Sequence, residues 1–281
     1  MDGIILVNKP KDITSRDLVN KACSHFSMKK IGHTGTLDPF AQGLMILTLG
    51  KATKISSYIE AKDKTYIGEM TLGVTSDTLD NTGHILETKE VPLLSKDDIN
   101  NVFKSFLGAS KQVPPMYSAI KIDGEELYKK ARRGEKVDRK MRDIYIDELK
   151  LLSLEDNKIL FEVKCSKGTY VRSLVDDIGK KIGCGALLSM LIRTRVGPFH
   201  VKNAKSIEDI TTKDIIPIVD ALSFFPMTII NKEEEKKIRN GVKIYLNNQS
   251  EKLLLINEDK VALAIYEKRS DGYYYCLRGL F

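Results

Sequence analysis

The chain has 281 residues, 42% of them hydrophobic, with 45 Lys and Arg against 38 Asp and Glu for a net charge of +7. That is enough apolar material for one large or two smaller packed domains, and it excludes a disordered or collagen-like chain. No apolar run approaches the roughly 18 residues of a membrane span, and no basic-then-apolar leader precedes Ile4, so a cytoplasmic globular protein without membrane attachment is expected.

In chain order, residues 4–7 read as a short buried strand. Ser15 is then expected to cap a helix whose Leu18, Val19, Ala22 and Phe26 recur at helical spacing. Residues 44–49 form a second apolar run. Residues 64–72 alternate, with Tyr66, Gly68, Met70 and Leu72 on one face, and 84–88 after Gly83 is expected to pair with them as a hairpin. Ser95 and Asp98 make a capping box for a helix carrying Ile99, Val102, Phe103 and Phe106, with Gly108 predicted at its C-cap. Pro114 and Pro115 are expected to keep the next stretch extended.

Residues 144–154 and 158–165 alternate on either side of Asp156 and Asn157, which predicts a second hairpin. Residues 169–182 fit a helix with Val171, Leu174, Val175 and Ile178 inward and Gly183 just past its end. Hairpins interleaved with single helices imply an α+β fold with a largely antiparallel mixed sheet flanked by helices. A short helix and connector occupy 217–226. Beyond it come a polar helix at 232–239 and strand runs at 252–256, 261–267 and 273–278, punctuated by Asn247-Asn248 and Asp271-Gly272. A boundary near residue 228 therefore separates a larger domain, 1–228, from a small mostly-β one, 229–281, too short to bury much alone and expected to pack on the first.

Cys23, Cys165, Cys184 and Cys276 form no C-x-x-C pair, and His25, His33, His84 and His200 lack helical metal-ligand spacing. Reduced thiols and no metal are expected. No phosphate-cradling glycine pattern follows a strand-like run, so no nucleotide cofactor is expected and the chemistry falls to side chains. Residues 129–142, KKARRGEKVDRKMR, carry eight basic residues against Glu135 and Asp138, a net +6 that nearly equals the charge of the whole chain. Such a patch suits a polyanion, with nucleic acid the natural partner, though a solvated surface run has the same composition.

The most unusual stretch is Gly32-His33-Thr34-Gly35-Thr36-Leu37-Asp38-Pro39-Phe40-Ala41-Gln42-Gly43. Its three glycines allow tight turns, and Pro39 biases Asp38 toward an extended backbone. Asp38 reads either as ordinary turn initiation or as a carboxylate nucleophile or general base. No second acid stands close in sequence to make a glycosidase-like pair.

GHTGTLDPFAQGLM resembles the signature of the TruB family of tRNA pseudouridine synthases, whose aspartate is catalytic. Three further blocks agree in order. NKPKDITS at 8–15 resembles the family's opening K-P-x-G-x-T-S block, with Asp12 where glycine is usual. Lys64-Thr65-Tyr66 with Leu72-Gly73 resembles the strand that supplies its active-site tyrosine. CSKGTYVRSL at 165–174 and LIRT at 191–194 resemble its last motifs. The likeness runs from about Gly3 to Phe199. QVPPMYSAIKIDGEELYKKARRG within 111–142 resembles an RNA-gripping insertion, and 229–281 more weakly resembles a reduced PUA-type RNA-binding domain.

The resemblance implies a pseudouridine synthase core and isomerisation of uridine at position 55 in the T loop of tRNA. Asp38 would start the reaction by attacking carbon or by abstracting a ribose proton; both routes stay open. Arg172 would pair with Asp38 and keep it ionised. Tyr66 would stack on the uracil, with a further role in deprotonating C5. Tyr170, Leu191 and Lys64 would belong to the uracil pocket, and His33 would fill the space left by the flipped nucleotide. Arg132, Arg133 and Arg139 would hold backbone phosphates. A monomer with no protein partner is expected. Two other readings are a guide-RNA-dependent synthase, disfavoured by the small tail, and a non-catalytic tRNA chaperone using the same grip.

Overall fold

The structure, a computed structural model, describes residues 1–135 and 137–281; Lys136, part of the basic run, lies outside the described residues. The first strands are β1 (Gly3–Lys9), β2 (Ile31–His33), β3 (Gln42–Leu49), β4 (Lys64–Leu72), β5 (Val74–Ser76) and β6 (Ile85–Thr88). The middle of the chain adds β7 (Gly108–Gln112), β8 (Lys121–Ile122), β9 (Glu125–Glu126), β10 (Arg142–Glu155), β11 (Lys158–Cys165), β12 (Ala186–Val196) and β13 (Phe199–His200). The last four are β14 (Met227–Ile230), β15 (Lys252–Asn257), β16 (Ala262–Lys268) and β17 (Tyr274–Gly279).

The main sheet runs β1-β3-β12-β4-β11-β10-β7, with β2 on β3 and β13 on β12. Every pairing in it is antiparallel except β3 with β12, which meet in parallel over Ile192↔Gln42 and Arg193↔Gly43. This is the expected mixed α+β sheet. β4 alternates as its sequence predicts, with Tyr66, Gly68, Met70 and Leu72 buried, and the ring of Phe161 occupies the space a side chain at Gly68 would need. The helices Val171–Ile182 and Lys96–Lys104 cover one face around Phe103, Phe161, Val175 and Ile178. The helix Ser15–His25 seals Leu18, Val19 and Ala22 against Ile5, Val7 and Met45.

A separate sheet, β14-β15-β16-β17, begins at Met227. Its Leu254, Ile256 and Ile265 share one core with Ile4, Leu44 and Ile46, so the C-terminal piece is packed onto the main sheet rather than tethered beside it.

Several local expectations need correction. The cap of the first helix is Thr14, whose side chain accepts from Asp17 N, which frees the Ser15 hydroxyl for another task. The strand Ile85–Thr88 pairs with β5 and not with β4, because β4 is already flanked by β11 and β12. Gly108 does not cap the preceding helix, which ends at Ser105; it opens β7 at φ 89°. After Pro115 the chain bends at residues 116–119 instead of running extended. Asp12 adopts φ 66°, the conformation for which glycine is the usual solution and which Asp tolerates better than most residues.

Candidate active site

Asp38 sits on the crossing between β2 and β3, and the backbone around it is tied from two sides. On one side the Ser15 hydroxyl accepts from Leu37 N at 2.9 Å and donates to Leu37 O at 3.0 Å. Asp12 N donates to Pro39 O at 2.9 Å. The fully buried Lys9 ammonium donates to Pro10 O and Ile13 O at 2.8 Å and to Pro39 O at 3.2 Å. Burial lowers the Lys9 pKa to about 8, partly offset by the Asp38 and Asp12 carboxylates. On the other side Arg193 reaches from β12 to Thr36 O and Gly35 O.

Arg172, on the first turn of its helix, meets Asp38 with the Nε edge of its guanidinium. Its Nε lies 2.9 Å from Oδ2 and its Nη2 donates to Oδ1 at 3.0 Å. The same guanidinium donates to Thr78 O at 3.0 Å and Tyr117 O at 2.8 Å, and stands 3.4 Å from Asp80 Oδ2. Asp80 in turn accepts from Thr78 Oγ1, Thr82 N and Thr82 Oγ1. One cation thus sits between two carboxylates, with its side chain only 4% exposed. Burial raises the Asp38 pKa above the ordinary carboxylate value, and the Arg172 charge pulls against it.

Above Asp38 opens a cavity of about 430 Å³ whose walls include Lys64, Tyr66, Tyr170, Leu191 and Arg193. That is the size range in which small ligands are enclosed. Tyr66 presents an apolar ring to it, and burial pushes its phenol up to about 12. The buried Lys64 ammonium donates to Glu60 O and, at 2.7 Å, to Lys62 O, and burial lowers its pKa to about 8. Tyr170 is held through its backbone, with N donating to the Gln112 side chain at 2.8 Å and O accepting from it at 3.1 Å.

The other predicted residues stand outside this cavity. His33 lies at the end of β2, and its Nδ1 accepts from Gly35 N at 3.3 Å. Arg139 donates to Pro114 O at 2.8 Å. Arg133 is already engaged by Glu125 through both oxygens and by Glu135. Arg132 is exposed, its guanidinium 5.6 Å from the centre of the Tyr128 ring. Lys9, Asp80, Arg142 and Arg193 also belong to the site or its support. Lys9, Arg142 and Arg193 stand inside the quoted segments, Arg142 as part of the basic run, but sequence gives them no place at this site, and the carbonyl partners of Lys9 and Arg193 have no sequence signal. Among the described residues no group of three or more His, Cys, Asp and Glu side chains is placed to hold a metal, and no helix is long and apolar enough to cross a membrane.

Residues 24–171 match the profile of the TruB family pseudouridylate synthase N-terminal domain, and 172–216 that of the tRNA pseudouridylate synthase B C-terminal domain. Residues 229–281 lie outside both matches. A tRNA pseudouridine synthase B of Clostridium perfringens is 41% identical over 285 residues, covering 97% of each chain. One from Clostridium kluyveri is 41% identical over 248 residues, covering 87% of this chain and 86% of the relative. Among solved structures, a Cbf5-Nop10-Gar1 complex contains a chain that superposes with a TM-score of 0.76 at 23% identity, over 99% of this chain and 85% of that one, a likeness of fold. With a family profile spanning more than half of its residues and relatives this similar along nearly its whole length, the chain belongs to the TruB family of pseudouridylate synthases.

Proposed function

We propose that this isomerase, which converts uridine to pseudouridine in tRNA, takes the uridine at position 55 of the T loop. The observation that carries the reading is the placement of Asp38, fixed in an open-mouthed cavity by a buried guanidinium and walled by Tyr66. A base stacked inside folded RNA does not reach into such a cavity, so the nucleotide is flipped out, at a cost of a few kcal/mol. The N1–C1′ bond then breaks, the uracil turns, and C5 joins C1′. The proton leaving C5 is balanced by one gained at N1, so the reaction needs neither oxidant nor energy source.

Asp38 starts the sequence, at carbon or at a ribose proton, and Arg172 holds it oriented and favours its ionised form. The Tyr66 ring stacks on the uracil, and Tyr170 and Leu191 line the same pocket with Lys64 at its rim. His33, beside the loop that carries Asp38, occupies the place the flipped nucleotide leaves. The insertion at 111–142 grips backbone phosphates through Arg132, Arg139 and Arg133. Residues 229–281 form a second RNA-contacting domain, which is supported by the exposed Tyr245 and Tyr273 with Lys243 and Arg269 stacked among tyrosine rings. The protein works as a cytoplasmic monomer.

The test is tritium release from a [5-³H]uridine-labelled tRNA transcript, with the modified position mapped afterwards. Release by the intact chain, absent for Asp38→Asn and mapped to the T loop, is the expected result. Release mapped elsewhere removes the T-loop assignment. No release from folded protein that binds tRNA favours a chaperone or a guide-dependent enzyme.

A further inference from the structure

Arg193 is a buried cation lining the cavity that the mechanism above leaves without a task. It stands where β12 meets β3 in parallel, in register with Gly43 of β3 on one side and Tyr66 of β4 on the other. The approach at Gly43 is close enough that a Cβ there would come within 2.4 Å of Arg193 O, so the position of its backbone is rigidly set. The side chain is not a sheet ornament. Residue Arg193 is 3% exposed, with Nε donating to Leu44 O at 2.7 Å and Nη1 and Nη2 donating to Thr36 O at 3.2 Å and Gly35 O at 3.3 Å.

Those acceptors belong to two different pieces of chain. Leu44 is in β3, after the crossing, whereas Gly35 and Thr36 lie just before Asp38, where Gly35 takes φ 140°. Here three separate nitrogens of one planar fork each hold one carbonyl; a lysine at 193 has a single nitrogen and does not occupy all three positions. As cross-strand neighbours in register, Arg193 and Tyr66 project to the same face of the sheet and wall the same cavity. The Arg193 charge also opposes the upward push that burial gives the Tyr66 phenol.

We propose that Arg193 is a positioning residue for the isomerisation, holding the stretch that leads into Asp38 against β3 and fixing Tyr66 beside it. This rests on Asp38 being the reacting carboxylate. A loop loosened by 1 Å places that carboxylate out of line with the ribose, a loss that falls on the chemical step and leaves RNA affinity in place.

The test uses the full chain and a T-loop-containing tRNA, measuring single-turnover rate at saturating protein and tRNA Kd separately for Arg193→Lys and Arg193→Met. The expected result is a rate loss of about 100-fold for Arg193→Lys and more for Arg193→Met, with Kd within threefold of the parent. The losses of Arg193→Lys and Tyr66→Leu, which removes the ring and the hydroxyl together, are expected to be non-additive, the double variant falling at least tenfold short of their product. Rates within threefold of the parent, losses that follow Kd, or multiplying losses overturn the proposal. If Arg193→Met does not fold, Arg193→Lys decides; failure of both to fold assigns Arg193 to folding alone and equally overturns it. An Asp38→Asn variant that still isomerises refutes the reading of the site instead.

Discussion

Asp38 and Arg172 touch each other, yet their removal is expected to have opposite effects on folding. Arg172→Met strips the buried cation from between Asp38 and Asp80 and leaves Thr78 O and Tyr117 O without a donor. Breaking a buried ion pair from one side typically costs about 3–5 kcal/mol, since the remaining charge is left uncompensated. At roughly 2–4 °C per kcal/mol for a chain approaching this size, that is a fall in Tm of the order of 10 °C. Asp38→Asn keeps an oxygen to accept from Arg172 Nη2 and leaves Arg172 paired with Asp80. Because the Asp38 pKa is raised on folding, the folded state holds its proton more tightly than the unfolded state does. Its ionisation therefore opposes folding, in full above both pKa values, and Asn removes that cost. Asp38→Asn should consequently melt at or above the parent temperature at pH 7.5 while losing isomerisation altogether. Thermal melts and single-turnover pseudouridine formation on the same preparations decide it. An Asp38→Asn protein melting several degrees below the parent, or an Arg172→Met protein melting with it, would refute the electrostatic account of the site.

Tyr66→Phe keeps the ring and removes only the hydroxyl; if the hydroxyl moves a proton, the single-turnover rate falls about 100-fold with tRNA Kd unchanged, and a change under threefold leaves stacking as its whole role. Charge reversal at Arg132 should flatten the dependence of log K on log salt by roughly one phosphate contact, whereas reversal at Arg133 should do less, because Glu125 and Glu135 already hold that guanidinium; equal slopes for both variants and the parent would remove the insertion from phosphate binding. Lys9→Met removes the Lys9 bonds to Pro10 O and Ile13 O, while Pro39 O keeps Asp12 N, and should destabilise by about 1–3 kcal/mol at pH 7. The folded-state pKa of Lys9 is lowered to about 8 from 10.5, so the unfolded chain binds more protons between those values and the parent gains stability over the variant as pH rises through that window; denaturant midpoints at pH 7 and pH 10 measure it.

The parts of this structure legible in the sequence are those decided locally. The alternation of β4, the capping box at Ser95 and Asp98, the hairpin across Asp156 and Asn157 and the helix ending at Gly183 each follow from spacing or from one residue's backbone preference. What escaped was set by pairing at a distance. The strand β12, which joins the two halves of the main sheet, carries no clear period-2 alternation in sequence, because a central strand is largely buried on both faces. The pairing of 85–88 with β5 is hidden for a related reason: the hairpin signal states that a strand turns back, not that the neighbouring strand has a free edge. Around Asp38 the motifs mark the candidate reacting groups, whereas Lys9 and Arg193 hold the surrounding chain through carbonyl oxygens, which are identical at every position and leave no trace in sequence.

That division explains how the site is built. Lys9, Arg172 and Arg193 are all buried; Lys9 and Arg193 give their donors to backbone oxygens of the segments around Asp38, and Arg172 divides its contacts between the Asp38 and Asp80 carboxylates and the carbonyls of Thr78 and Tyr117. Burying three cations is costly, and hydrophobic replacements of similar volume would hold a generic core as well or better. What a hydrophobic residue does not do is fix the direction of a peptide carbonyl, and with it the path of the loop that aims a carboxylate. In the proposed reaction the carboxylate meets one carbon or one proton of a nucleotide that arrives by flipping, and the flip itself consumes binding energy. Little of that energy is then left for ordering the loop, so the ordering has to be complete in the free protein. The network of buried cations on carbonyls does that work during folding, at the expense of stability and before the RNA is bound.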